Sequence, residues 1–486
     1  MRLVVSSVVL AVAVSGAACS ARAPAPAPLE QAPGLTAELR VNAYMDRIRD
    51  EPGELLLFLR EMPKGGDLHN HLSGSVYAES LIRWAGEDGL CLVRAELRLK
   101  PPPCSERRGE LPAIEISRDT KLYDAVIDAW SMRNWDAARI SGHDQFFDSF
   151  AKFSAATSRR TGDMLAEVVE RAAEQNVTYM ELMHIPDEGS VIGLGFATGF
   201  DTDFPRLRDR LIARGLRDTL KIAAKKLDSA EAVQRRLMRC EMTPRPPGCG
   251  VTVRYLYQVL RGLPPQAVFA QILAGFEMAG SDTRVVGFNL VMPEDAPVPM
   301  RDFSLHMRMI DYLHSVYPDV KITLHAGELS EGLVPPEGMR FHIRESIVRG
   351  HARRIGHGTA VLSESAPVDL LKHMSEKRIL VEIALSSSAA ILGIRGKQHP
   401  ISLYLKYGVP VALATDDEGV LRSSLTTDYM RAVEEQGLDY RTLKQIARNS
   451  ILYAFVDDAT KLRLVNQLDS AFTKFEEKYA AAGNAR

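Results

Sequence analysis

His69 and His71 stand one residue apart at the end of a short apolar run, in MPKGGDLHNHLSGS at 62–75. Residues i and i+2 of a strand point to the same face, so both imidazoles can be offered to one object. Two further groups of ligand type come late in the chain, His325 in LHAGE and Asp416 in ATDDEG. Three imidazoles and a carboxylate suit zinc, a borderline cation that takes nitrogen and oxygen ligands and keeps a water position when it is catalytic. Glu328 lies three residues after His325, and His357 stands in IGHG. They are a carboxyl and an imidazole available for proton transfer beside such a metal. The competing reading, four unrelated polar residues at strand ends, must explain why His69, His71, His325 and Asp416 all fall at the ends of the first, fifth and eighth of the chain's apolar runs.

Those runs are the elements that must position the chemistry. From residue 64 onward there are eight: GGDLHNHL, VTYMELMHIP, VTVRYLYQVL, VVGFNLVMP, VKITLHAGE, RRIGHGTAV, ILVEIALSSS and VPVALATDDE. Segments of helical period separate them. Strands alternating with helices imply parallel strands joined by crossovers, and eight of them predict an α/β fold, a (β/α)8 TIM-type barrel. In such a barrel functional groups gather at the C-terminal strand ends. There fall His69, His71, Glu181, His184, Asn289, His325, Glu328, His357, Ser386, Ser387, Ser388, Asp416 and Asp417. Residues 40–60 predict one surface helix leading into the first strand. About 86–136, with three consecutive prolines and little period, reads as an insertion after strand one, either a small subdomain overhanging the barrel mouth or a surface elaboration.

A composition of 46% hydrophobic and 25% charged residues describes a large soluble globular chain. Its 60 basic and 62 acidic residues leave a formal charge of −2, which argues against a nucleic-acid groove or a polybasic membrane surface. The partner expected is a small molecule. Residues 1–23 read as an export signal, with Arg2 before an apolar stretch at 3–14 and small residues at 15–23. No later segment has the roughly 18 uninterrupted apolar residues of a transmembrane helix. GAAC at 16–19 resembles a bacterial lipoprotein cleavage box, with Gly16 where that pattern usually has a larger aliphatic residue. The exported chain, periplasmic or extracellular, is then either free or lipid-anchored through Cys19. Residues 24–36, rich in Ala and Pro, read as a tether. The remaining cysteines fall into two local pairs, Cys91 with Cys104 and Cys240 with Cys249. In an exported chain, and without Cys-x-x-C spacing, they are expected as disulfides rather than metal ligands.

His69-x-His71 after a strand, HAGE at 325–328, RIGHG at 354–358 and TDD at 415–417 resemble, in type and order, the motif series of the adenosine deaminases. FFDSFAKF at 146–153 is similar to that family's substrate-pocket helix. The resemblance begins near residue 63 and reaches the last barrel helices, so the barrel domain is expected over 37–486. With the export signal, insertion and cysteines, the chain looks like secreted, growth-factor-like members and their bacterial relatives. The resemblance implies that His69, His71, His325 and Asp416 bind one zinc ion. It implies that Glu328 protonates purine N1, that His357 acts on the attacking water, and that Asp417 bonds purine N7. The reaction implied is hydrolytic deamination of adenosine or 2′-deoxyadenosine to the inosine counterpart and ammonia.

The chain departs from that pattern at three positions. Ser73 stands where many relatives carry an Asp that touches the ribose. Met292 stands where a Gly offers its backbone N–H to purine N3. Glu418 replaces the Pro of TDDP, which is expected to place a further negative charge near the site and disfavour a phosphorylated substrate. With Asp417 and His71, Ser73 and Met292 are the residues expected to face the substrate. The departures leave open another 6-aminopurine as substrate, or a nucleoside-binding protein without catalysis.

Overall fold

A computed structural model describes residues 36–482. The expected export signal at 1–23, Cys19, and all of the 24–36 tether except its last residue lie outside the described residues. In chain order the strands are β1 (Gly65–His71), β2 (Cys91–Val93), β3 (Arg98–Lys100), β4 (Glu110–Pro112), β5 (Val177–His184), β6 (Thr252–Leu260), β7 (Val285–Val291), β8 (Lys321–Ala326), β9 (Arg354–His357), β10 (Leu380–Ile383) and β11 (Val411–Leu413). Each of the eight apolar runs contains one of the strands β1 and β5 to β11. These pair in parallel in the order β1-β5-β6-β7-β8-β9-β10-β11, with helices between them.

The sheet is a nearly closed barrel. Its seam is bridged by Asn70 and Asp416, where the His71 N–H donates to the Asp416 carbonyl at 3.2 Å and the Asp416 N–H to the His69 carbonyl at 2.9 Å. Closure therefore falls on residues that carry the candidate chemistry. Every residue of β1 is buried, as expected of a parallel strand covered on both faces.

The insertion after β1 holds a helix (Ala78–Glu87), a small antiparallel sheet in the order β3-β2-β4, and a second helix (Thr120–Ala129). The Cys91–Cys104 disulfide ties β2 to the segment after β3, and Cys240–Cys249 closes the loop before β6. Strand β3 packs on the helix Gly142–Thr157, and the Trp130 indole N–H donates to the Leu97 carbonyl at 2.7 Å beside it. The insertion thus buttresses the helix that carries FFDSFAKF.

The single helix expected over 40–60 is two, Ala37–Ile48 and Pro52–Glu61. Proline has no N–H to continue a helix and is favoured at its first position, so Pro52 starts a new one. Nor is the pair merely superficial. Val41, Met45, Leu55, Phe58 and Leu59 are fully buried, and the first helix packs against the C-terminal helix Asp458–Ala482. Among the described residues no helix is long and apolar enough to cross a membrane.

Candidate active site

The ends of β1, β8 and β11 bring His69, His71, His325 and Asp416 together, all buried, with potential ligand atoms within 4.8 Å of one another. The Nε2 atoms of His69 and His325 are 3.0 Å apart, and those of His71 and His325 3.3 Å. Asp416 Oδ1 lies 3.3 Å from His71 Nε2 and 3.6 Å from His69 Nε2.

The other nitrogen of each ring faces an oxygen acceptor. His69 Nδ1 donates to Glu382 Oε2 at 2.7 Å, His325 Nδ1 to Asn289 Oδ1 at 2.9 Å, and His71 Nδ1 to Gln258 Oε1 at 3.2 Å. Asn289 Oδ1 also accepts the His325 backbone N–H at 2.9 Å, which fixes its amide orientation. With the protons on Nδ1, three Nε2 lone pairs converge on one another and on a carboxylate. A cation at the centre would meet all four groups at once, and Nδ1 bonds of this kind are how metal-ligating histidines are held. The Ser387 hydroxyl donates to Asp416 Oδ2 at 2.7 Å, leaving Oδ1 for the same centre. The residues fit a divalent cation such as zinc.

Below the ligands lies a buried charge cluster that local motifs do not reveal. Glu382 also accepts from Thr323 Oγ1 at 2.9 Å and Arg354 Nε at 2.6 Å, while Arg354 pairs with Glu181. Burial pushes the Glu382 carboxyl up, but Arg354 and His69 outweigh it and hold the group below its ordinary value. Glu181 accepts from Tyr179 and from the Phe455 N–H, both at 2.7 Å. It serves the barrel interior rather than the mouth where the sequence placed it. His184 faces an outer groove with Lys225, Lys226 and Glu188, also away from the site. The signal available in the sequence was a charged residue inside each of three otherwise apolar strands.

Glu328, His357 and Asp417 flank the four ligands. Burial, then the charges of Asp416 and Glu294, raise the Glu328 carboxyl well above its ordinary value. Its backbone is pinned by Glu294, whose carboxylate accepts the N–H groups of Gly327 at 3.0 Å and Glu328 at 2.8 Å and also pairs with His342. His357 Nδ1 lies 3.8 Å from Glu328 Oε1, and neither ring nitrogen has a hydrogen-bond partner among the described residues. Burial pushes this imidazole down to about 3, so it is a neutral, proton-accepting group. Burial raises Asp417 well above its ordinary value, and its Oδ1 is unpartnered. A Cβ on Gly74 would lie 1.6 Å from that oxygen, so the glycine of HLSGS makes room for the carboxyl.

Three site residues occupy left-handed backbone that non-glycine residues seldom adopt: Met292 at φ 89°, His357 at φ 65° and Asp416 at φ 60°. Met292 takes this conformation just after β7, a backbone that glycine adopts most readily. Its Sδ accepts the Gly262 N–H at 3.3 Å. Ser73 and Met292 both line the pocket above the ligands, a cavity of about 400 Å³ that also meets His71, His325, Glu328, Asp416 and Asp417. Glu418 does not line it. The carboxylate is buried against Arg171, whose Nε donates to it at 3.0 Å, so the extra negative charge expected near the substrate is neutralised elsewhere.

A profile of the adenosine deaminase family matches residues 137–471. The chain is 22% identical to the adenosine deaminase of Enterococcus faecalis over 420 residues, covering 85% of this chain and 98% of that protein. It is 26% identical to the adenine deaminase of Sinorhizobium medicae over 329 residues, 66% of this chain and 85% of that protein. Against the aminodeoxyfutalosine deaminase of Streptomyces coelicolor it is 34% identical over 127 residues, which is 26% of this chain and about a third (32%) of that protein. The buried His, His, His, Asp centre and its barrel thus have a family to match, and the chain belongs to the adenosine deaminase family.

Proposed function

We propose that the chain is an exported, zinc-dependent purine nucleoside deaminase that hydrolyses adenosine or 2′-deoxyadenosine to the inosine counterpart and ammonia. The observation that carries this reading is the convergence of three Nε2 atoms and Asp416 at one end of a pocket flanked by Glu328, His357 and Asp417. His69, His71, His325 and Asp416 would hold a divalent cation, which would supply a water acidified towards a pKa of about 7.

The remaining chemistry belongs to the chain's own side chains. Glu328, protonated in its buried setting, donates to purine N1 and makes C6 electrophilic. His357 has two free ring nitrogens and accepts the proton of the attacking water. Purine N7 is an acceptor, so the raised Asp417 carboxyl suits it as a donor. Water oxygen bonds to C6, the proton taken by His357 passes to N6, the C6–N6 bond breaks to release ammonia, and the remaining hydroxyl proton returns to Glu328 while N1 keeps the one it received. The backbone N–H of Met292 and the Ser73 hydroxyl face the rest of the substrate. Export is supported by residues 1–23 and by the two disulfides, which persist in oxidising compartments.

The test is the ultraviolet difference spectrum of adenosine incubated with zinc-loaded protein, beside Glu328→Gln. Wild type is expected to form inosine. The variant is expected to keep zinc and lose on the order of 10²–10⁴ in rate, because an amide has no acidic proton to give. A variant of near wild-type rate overturns the role of Glu328. A second reading, adenine as substrate, is favoured by the likeness to the Sinorhizobium enzyme. Conversion of adenine but not adenosine by the same protein establishes it.

A further inference from the structure

The pocket also restricts what the purine carries, an inference that rests on the deaminase reading above. With C6 at the metal ligands, N1 at Glu328 and N7 at Asp417, two edges of the base are occupied. The third edge, N3 and N9, faces the rest of the cavity. That remainder is apolar: Phe146, Phe147 and Phe150 from the helix Gly142–Thr157, with Leu260, Val291 and Met292 from the ends of β6 and β7. The phenylalanines brace one another, with ring centroids of Phe146 5.0 Å from Phe147 and 5.4 Å from Phe150.

No lysine or arginine is among the residues lining the pocket, so a phosphate there meets no counter-charge. The uncharged polar side chains are Ser73 and Gln258. Gln258 uses its Oε1 to accept from His71 Nδ1, and its amide N–H groups have no acceptor among the described residues. A hydroxyl carried into an apolar wall without a partner is penalised, whereas an apolar group gains by burial.

We propose that the chain prefers 6-aminopurine nucleosides whose 5′ position is uncharged and apolar, such as a 5′-deoxy or 5′-thioether sugar. The Gln258 amide and the Ser73 hydroxyl are the groups that read the remaining sugar hydroxyls. Deamination itself is unchanged, since the 5′ group takes no part in bond making.

The experiment measures kcat/KM of the zinc-loaded wild type for adenine, adenosine, 5′-deoxyadenosine, 5′-methylthioadenosine and AMP. The 5′-methylthio nucleoside is expected about tenfold above adenosine, and AMP roughly a hundredfold or more below it. Gln258→Leu is expected to lower kcat/KM for the nucleosides while leaving the ratio among their 5′ variants, and Phe147→Ser to abolish the thioether preference. Adenosine or AMP used as well as the thioether overturns the proposal and leaves the deaminase reading standing. Absence of turnover on the whole panel, with zinc bound, overturns both. If either variant fails to fold, the wild-type ratios decide alone.

Discussion

Replacing Glu382 by Gln tests whether the buried charge cluster sets the metal site. Three donors converge on this carboxylate: His69 Nδ1 on Oε2, and Thr323 Oγ1 and Arg354 Nε on Oε1. An amide keeps one acceptor oxygen and replaces the other with NH2. If its oxygen serves Arg354 and Thr323, the NH2 faces His69 Nδ1 and drives the proton to Nε2, which can then no longer bind a cation. If its oxygen serves His69, the NH2 opposes the Arg354 Nε–H, and a buried guanidinium loses one of its two carboxylates. Both arrangements cost something the wild type does not. Loss of such an orienting partner lowers metal affinity by about 10–100-fold, or about 1.4–2.8 kcal/mol. Breaking a buried pair costs about 3–5 kcal/mol of folding stability. Competition of the protein against a chromophoric chelator gives the first quantity, and urea unfolding of the metal-free chain gives the second. A Glu382→Gln chain that binds zinc and resists urea like the wild type refutes the role assigned to the cluster.

Gly74→Ala places a methyl group where Asp417 Oδ1 now sits, 1.6 Å away, so the carboxyl must move; zinc content is expected to hold while kcat/KM falls at least about tenfold, and unchanged kinetics would contradict the placement of Asp417. At Met292, with φ 89°, Gly is expected to be more stable than Ala by about 1 kcal/mol in urea unfolding, because both lose the thioether but only Ala keeps the left-handed strain. Asp428, whose Oδ1 accepts the Ser386 N–H at 2.9 Å, is raised by burial from 3.8 to about 7. A carboxyl raised on folding contributes stability below about pH 4 that is lost as pH rises through 7. Asp428→Asn keeps the acceptor and removes the titration, so its Tm relative to wild type should climb between pH 5 and 8, and a pH-independent difference would rule this out.

The strands were legible because each is an apolar run ending in polar residues, which is what a barrel requires of its interior and its mouth. The four metal ligands were legible for the same reason, since they sit at those ends. What escaped was set by partners distant along the chain. Glu382 meets His69 across 313 positions, and no local pattern encodes that pairing. Glu181, Arg354 and Glu382 did carry a signal, for a charge inside a buried strand must find a partner. Glu181 instead looked like a mouth residue, because strand register decides which residue of a run reaches the rim. Glu418 was misplaced for a related reason: adjacency to Asp417 in sequence says little about direction when Asp416 has φ 60° and turns the chain. The helix break was readable at Pro52, whose lack of an N–H ends one helix and starts the next.

The seam explains why strain and chemistry coincide. A barrel of parallel strands closes only when its first and last strands meet, and here β1 and β11 do so through the Asn70–Asp416 bridge. His69 and His71 come from one side of that seam, Asp416 from the other, and His325 from β8, well separated from both in strand order. Four groups so placed bring ligand atoms of three strand ends together across the barrel, and Asp416 accepts a left-handed backbone to join them. The Glu382, Asn289, Gln258 and Ser387 contacts hold each group in place. A bound cation would link β1, β8 and β11 at once. Its binding free energy is therefore also stability of the closed barrel, in proportion to RT ln(1 + [L]/Kd), and the seam should be the part of the barrel whose amide exchange slows most when zinc is added.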